Sequence, residues 1–248
     1  MKMKLLFVTL LSFAATASYN PQQLKTLISK SYSNSDLKSN LKRMTSDGHY
    51  RNSYRTAREY LFGELHLKRD GGHGQYIRDV YCDEVYTNST PNIGTIGRNR
   101  IPNHQVVNCE HTWPQSKFGG ADQRYQVSDL HHLFPTQSRA NSIRGNYNFG
   151  EVDSKNARLD DCQVSKFDNH TFEPPEFHKG NVARAMFYFS VRYGRSLNSH
   201  QERLFRQWHK QDPVDADERE RNEKIERIQG NRNPFIDAPE LVSEIQDF

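Results

Sequence analysis

Beyond its first seventeen residues the chain has no hydrophobic run approaching the roughly 20 residues that a membrane-spanning helix needs, which excludes a bundle of membrane-spanning helices. Tryptophan occurs twice, methionine four times and cysteine three times. So few cysteines exclude a disulfide-dense scaffold, in which crosslinks replace a core. No internal repeat or long low-complexity tract occurs, which excludes a solenoid. A Gly-x-Ser-x-Gly elbow is missing, which argues against a Ser-His-Asp hydrolase. Charge of one sign is not in excess either: 34 Lys and Arg stand against 30 Asp and Glu, a net charge of +4. Without Lys2 and Lys4 the balance is 32 against 30, about +2, so global charge does not announce a partner of opposite sign. What remains is a chain of 248 residues, 34% hydrophobic and 26% charged, enough for one sizeable domain with a modest core.

The first residues read as a targeting segment. Lys2 and Lys4 form a basic start, residues 5–15 are apolar, and Ala15-Thr16-Ala17 has the small-x-small pattern of a cleavage site. We therefore expect a signal peptide over residues 1–17, one continuous domain over 18–248, and a secreted or periplasmic location. In an oxidising compartment Cys82, Cys109 and Cys162 would give one disulfide and one thiol. Three pairings are open, as is the fully reduced chain. Asn88 opens an Asn-x-Thr sequon.

Along the chain, Asn20 and Pro21 predict the start of a helix running to residue 32. Helices are also predicted over 53–65 and 75–85, separated by Gly71-Gly72-His73-Gly74. Residues 106–113 and 126–134 are the best strands, and Pro135 is expected to open a helix that Gly145 ends. A short strand over 148–152, then helices over 181–193, 199–210 and 213–229, complete the reading. The first of these three is apolar around much of its circumference and predicts a buried core helix. The last has Arg and Glu at helical spacing and predicts a mostly solvated face.

Chemistry concentrates in residues 108–149. Glu110 and His111 are adjacent, Asp129, His131 and His132 follow, and Asn141 comes next. His111 is a candidate general base, because an imidazole titrates near neutrality. Glu110 is a candidate ligand for Mg²⁺, which takes one or two hard oxygen donors and keeps several waters. Neighbours on a strand face opposite ways, so the pair can serve one site only near a strand end or bulge. Pro114 makes an end credible. Asn141, Asn146 and Asn148 compete as the second ligand, and spacing leaves the three open. Asp129 and His131 would share one face of the second strand and support the site; His132 would face the other way. Arg98, Arg100, Lys117, Arg124, Arg139 and Arg144 surround this centre and suit an anionic substrate. A rival reading makes Cys109, His111, His131 and His132 zinc ligands, with poor spacing for a tetrahedral site.

The segments CEHTWPQS at 109–116, SDLHHLFPTQSRANSIRGNYNFG at 128–150, FEPPEFHKGNVARAMFYFSVRYG at 172–194 and DPVDADERERNEKIERIQGNRNPFIDAPEL at 212–241 carry a resemblance. Together they resemble the bacterial secreted endonuclease I family, of the ββα-metal (His-Me finger) nuclease superfamily. The resemblance covers the chain from about residue 78 to its end. It implies an α+β fold, a mixed, mainly helical single domain built around a ββα-metal finger. It implies His111 as general base, and Glu110 and Asn141 as ligands of Mg²⁺, with Mn²⁺ or Ca²⁺ as substitutes. An arginine should stabilise phosphate charge in the transition state; Arg124 is the first choice and Arg144 the second. Arg144 and Arg232 are candidate nucleic-acid contacts, although Arg232 would serve equally as a tie in a structural loop. The implied activity is sequence-nonspecific endonucleolysis of DNA, with RNA a second substrate, by a monomer that uses no membrane. The alternatives are a nucleic-acid-binding module without catalysis and a zinc-dependent hydrolase.

Overall fold

Polar caps and glycines set the helix ends. In a computed structural model of the chain, which describes residues 19, 21–30, 32–72, 74–153, 157, 159 and 162–248, Pro21 opens α1 (Pro21–Ser29). The expected leader and the Asn20 cap lie outside the described residues. Ser33 caps α2 (Asn34–Ser46) by accepting from the Asp36 amide, and the helix buries Leu37, Leu41 and Met44 on one stripe. Ser53 caps α3 (Tyr54–Tyr60), which a π turn over Leu61–Leu65 extends, as expected for 53–65.

The next expectation fails. Residues 75–85 are not helical: β1 (Leu67–Asp70), β2 (Gly74–Arg78) and β3 (Val85–Thr87) form an antiparallel sheet in that order. Asp79 gives the reason. Its carboxylate accepts from the amides of Tyr81, Cys82, Glu84 and Gln137, so a side chain organises the turn in place of a helical ladder.

β4 (Val107–His111) pairs antiparallel with β5 (Leu133–Gln137), Glu110 opposite Phe134 and Cys109 opposite Pro135. Between them lie a helical turn, α4 (Gln123–Gln126), and a 3₁₀ turn over Leu130–His132. The second strand therefore starts later than expected, and Asp129 and His131 are not on it. Asp129 accepts from the His131 amide and caps the 3₁₀ turn. Pro135 sits inside β5 and opens no helix. A two-stranded sheet has only edges, where the missing N–H is harmless, and the Pro135 carbonyl still accepts from Val80. The helix begins at Ser138: α5 (Ser138–Arg144) ends at Gly145, whose φ is +50°.

β6 (Asn148–Phe149), β7 (Lys166–Phe167) and β8 (Thr171–Glu173) form a small sheet with β8 in the middle. A disulfide joins Cys82 to Cys162 and leaves Cys109 as a thiol. Then come α6 (Glu176–Tyr193), α7 (Ser199–Gln211), α8 (Ala216–Gln229), α9 (Pro234–Asp237) and α10 (Leu241–Glu244).

As expected, α6 is a core helix: Val182, Ala183, Phe187, Tyr188 and Phe189 are all buried. They pack with Phe205, Trp208 and Phe248 in the larger of two apolar clusters. The smaller cluster gathers Leu61, Ile77, Val107, Leu133 and Ile225. Trp113 belongs to the first and Val107 to the second, so the two strands and α5 lie where the clusters meet. The solvated face expected for the last long helix is only part of α8. Glu218, Arg221, Asn222, Ile225 and Gln229 make a buried stripe, most of it polar. Its charges are matched: Arg184 pairs with Glu218, and Arg221 donates to the Leu130 and Leu133 carbonyls. Gly230 ends α8 at φ +80°, where a Cβ would lie 2.2 Å from the Gly48 carbonyl oxygen, so no other residue fits.

Candidate active site

Glu110 and His111 are the last two residues of β4, so the strand end anticipated from Pro114 is present. Both are buried, Glu110 to 2% exposure and His111 to 5%. The His111 Nε2 lies 3.0 Å from the Val127 carbonyl oxygen and its Nδ1 lies 3.2 Å from the Gln115 amide nitrogen. A carbonyl can only accept, so Nε2 carries the hydrogen and Nδ1 presents its lone pair to the Gln115 amide. The ring is wedged among Tyr54, Phe118 and His132, with centroids 5.5, 5.8 and 5.4 Å away. Burial, with His132 alongside, pushes its pKa down to about 3, below the near-neutral titration expected of an imidazole, so the ring is neutral at physiological pH and its Nδ1 lone pair carries no proton.

The Glu110 Oε1 accepts from the Tyr81 hydroxyl at 2.9 Å and pairs with the Arg144 Nη1 at 3.3 Å. Neither contact uses Oε2. Burial pushes the carboxyl above the ordinary glutamate value, while Arg144 and Tyr81 pull it back. Arg144 also donates to the carbonyls of His111 and Thr112, lies over the Phe149 ring and is 1% exposed. The structure thus places Arg144 behind the carboxylate and not on the open surface.

Asn141 stands one turn into α5, on the same face as Arg144. Its amide nitrogen donates to the Asn108 Oδ1 at 2.6 Å and to the Cys109 carbonyl at 3.3 Å. The carbonyl acceptor fixes which way the amide points, and Oδ1 is left for another partner. Asn146 and Asn148 contact Ser116 and Lys117, on the segment after Pro114. Of the three asparagines, Asn141 is the one whose amide contacts β4. Fixed oxygens on Glu110 and Asn141 are hard donors of the kind Mg²⁺ accepts, so this pair suits such an ion. Among the described residues the three-acid cluster is elsewhere, at Glu151, Glu173 and Glu176. The Lys179 ammonium already fills it, with contacts of 2.6 to 3.1 Å to all three. The proposed zinc set does not gather: Cys109 and the three histidines form no such group. His111, His131 and His132 bond instead to the carbonyls of Val127, Asn231 and Gln126.

Asp129 and His131 sit in a buried network that reaches the far end of the chain. Asp129 accepts from the hydroxyls of Tyr188 and Tyr193 and from the Gln229 amide, at 2.7 to 2.8 Å. Of the two adjacent histidines, His132 is the one whose ring touches His111. Arg124 is exposed on α4, three residues before the Val127 carbonyl that anchors His111. Arg232 is held by Glu226 at 2.8 Å and by both oxygens of Asp237 at 2.5 and 2.7 Å. We expect Arg232→Ala to cost about 1–3 kcal/mol of stability, measured by thermal unfolding, and to leave the salt dependence of polyanion binding unchanged. A slope shallower by about one unit would make Arg232 a phosphate contact.

Sequence reading missed Tyr81, Gln115 and the Val127 carbonyl. No local signal marks Tyr81, which meets Glu110 from 29 residues away.

The buried histidines make the fold acid-sensitive. Burial pushes His131 and His178 down to about 3 and His132 to about 4, from an ordinary value of 6.5. The unfolded chain takes up these protons near pH 6.5 and the folded chain does not. Stability is therefore full above that pH and falls as pH drops toward 4, by roughly 1 kcal/mol per histidine per pH unit. Asp129, held well below the carboxylate range by the imidazoles and Gln229 around it against the upward push of burial, adds its own loss only at lower pH. Thermal melts between pH 7 and 5 check this; a flat melting temperature would mean these histidines protonate in place.

A buried carboxylate, a pinned amide oxygen and an imidazole fixed in one tautomer are equipment for hydrolysis assisted by a divalent cation. The endonuclease I family model matches residues 33–240, and the chain belongs to that family. It is similar to an extracellular ribonuclease of Bacillus subtilis (strain 168), 36% identical over an alignment of 156 positions that covers 56% of this chain and 53% of that protein. An extracellular deoxyribonuclease of Aeromonas hydrophila is 36% identical over 137 residues, 54% of this chain and 60% of that protein. A periplasmic deoxyribonuclease of the same species is 32% identical over an alignment of 162 positions that covers 58% of this chain and 68% of that protein. The chain thus spans about half the length of the first of these relatives.

Proposed function

We propose that the chain is an exported, Mg²⁺-dependent, sequence-nonspecific endonuclease of the ββα-metal type. It would hydrolyse DNA, and RNA as a second substrate, leaving 5′-phosphate and 3′-hydroxyl ends. The observation that carries the reading is the tautomer of His111. With Nε2–H committed to Val127, the lone pair on Nδ1 is the one site on the ring able to take a proton. Gln115, on the exposed segment after Pro114, occupies the position a water would take against that lone pair. His111 is then the general base for attack on phosphorus. Glu110 and Asn141 would hold the cation, with Tyr81 and Arg144 fixing the carboxylate and Asn108 and the Cys109 carbonyl fixing the amide. When bound, Mg²⁺, or Mn²⁺ or Ca²⁺ in its place, supplies positive charge against the phosphate oxygens. Arg124 is the exposed cation for transition-state charge.

Export is supported by the leader-like sequence, by the Cys82–Cys162 disulfide and by relatives named extracellular or periplasmic. No helix among the described residues is long and apolar enough to cross a membrane, and we propose a monomer. Plasmid nicking and RNA cleavage with Mg²⁺, with and without EDTA, test the proposal. Metal-dependent nicking is expected. Binding without cleavage would leave a catalytically silent nucleic-acid module, and activity that survives EDTA would remove the metal.

A further inference from the structure

Two adjoining cavities are bordered by cations and by no carboxylate. The first, of about 120 Å³, has Lys117 and Arg144 in its wall. The second, of about 150 Å³, has Lys38, Lys42 and Arg195. Ser196 is in the wall of both, so the two are neighbours. By contrast, the clefts beside His178 and Arg232 are walled by several aspartates and glutamates. A chain with net charge of only +4 has little reason to gather five cations on one strip. Such a strip repels itself unless an anion covers it.

The side chains are also underused. Lys117 donates to the Asn148 Oδ1, a neutral acceptor, at 3.1 Å, and Lys38 to the Asp247 carbonyl at 2.9 Å. None of Lys38, Lys42, Lys117 and Arg195 has a carboxylate partner among the described residues. The Arg144 Nε–H is buried without any hydrogen-bond partner. A buried donor left unmet costs more than an ordinary hydrogen bond contributes, and the guanidinium that carries it belongs to a residue in the wall of the first cavity. The strip comes within one side chain of the candidate metal ligand, because another nitrogen of the same guanidinium pairs with Glu110.

From this we infer that the strip from Arg144 and Lys117 past Ser196 to Arg195, Lys42 and Lys38 is a track for the phosphodiester backbone of the substrate, seating phosphates beyond the one cleaved. The inference rests on the nuclease reading for its ligand. Each cavity is smaller than the 300–1,000 Å³ of pockets that enclose whole small molecules. Each therefore admits a phosphate and its sugar edge and does not enclose a base, which fits binding without base readout.

Binding of a duplex oligonucleotide by the His111→Ala protein, measured over a range of salt, tests the track. The double variant Lys42→Met/Arg195→Met should flatten the plot of log affinity against log salt by about two units, and Lys117→Met by about one. Lys117→Met should also weaken binding at low salt about tenfold, and Lys117→Arg should restore it. The control Lys25→Met/Lys30→Met removes the same charge from exposed positions, one on α1 and one just past its end, and should leave the slope unchanged. The track is overturned if Lys42→Met/Arg195→Met keeps the parent slope, if the control flattens it equally, or if the duplex does not bind at any salt. Cleavage of the same duplex by protein with His111 intact is scored separately. Its absence would defeat the nuclease reading, while a changed slope would leave the track standing.

Discussion

Replacing His111 by alanine should lower the rate of phosphodiester cleavage by about 10²–10⁴, the usual cost of losing a general base. Substrate and Mg²⁺ binding should persist, because the imidazole makes its contacts with Val127, Gln115 and three neighbouring rings. The vacated space among those rings should cost stability as well, about 1–3 kcal/mol, so rates belong well below the melting temperature. Single-turnover cleavage of a plasmid, with the variant's melt recorded alongside, gives both numbers. Turnover near that of the parent would remove His111 from the chemistry. A loss of rate that tracks only the unfolded fraction would make the histidine a packing residue.

The second large effect concerns the metal. Glu110→Gln should raise the Mg²⁺ concentration for half-maximal cleavage by at least 10–100-fold, the range seen even for groups that merely support a ligand. Glutamine keeps the volume, but Arg144 loses its counter-charge in a buried pair, a change that destabilises by about 3–5 kcal/mol. Asn141→Ala should give a similar metal defect with less loss of stability, since Asn141 is only half-buried. Asn146→Ala and Asn148→Ala should change metal dependence less, because those amides face Ser116 and Lys117. A larger defect in Asn146→Ala than in Asn141→Ala would reassign the ligand.

What could be read from sequence was whatever is local. The strand that carries Glu110 and His111, the helix stopped by Gly145 and the buried circumference of α6 all follow from pattern within a dozen residues. Misreadings arose where a side chain competes with the backbone ladder. Asp79 turns an expected helix into a turn between strands, and Asp129 turns an expected strand into a 3₁₀ turn. Pro135 has the same φ in either context, and only its partner Cys109 decides for the strand. At the candidate site, residue types pointed to Glu110 and His111 and left Asn141, Asn146 and Asn148 open; the family resemblance singled out Asn141. The groups that hold them lie far off in sequence or are carbonyls, which carry no sequence signature. Burial also escaped the reading: Arg144 and the polar stripe of α8 look like surface charge until their partners are known.

The Asp129 network has a consequence in time. Its donors Tyr188, Tyr193 and Gln229 follow Asp129 by 59, 64 and 100 positions. At synthesis rates of about 5–20 residues per second, Gln229 emerges about 5–20 s after Asp129. During that interval the turn carrying His132, and with it the packing around His111, lacks its anchor. The turn beside His111 therefore gains its full set of partners only once Gln229 has been made, a hundred residues after the carboxylate it holds.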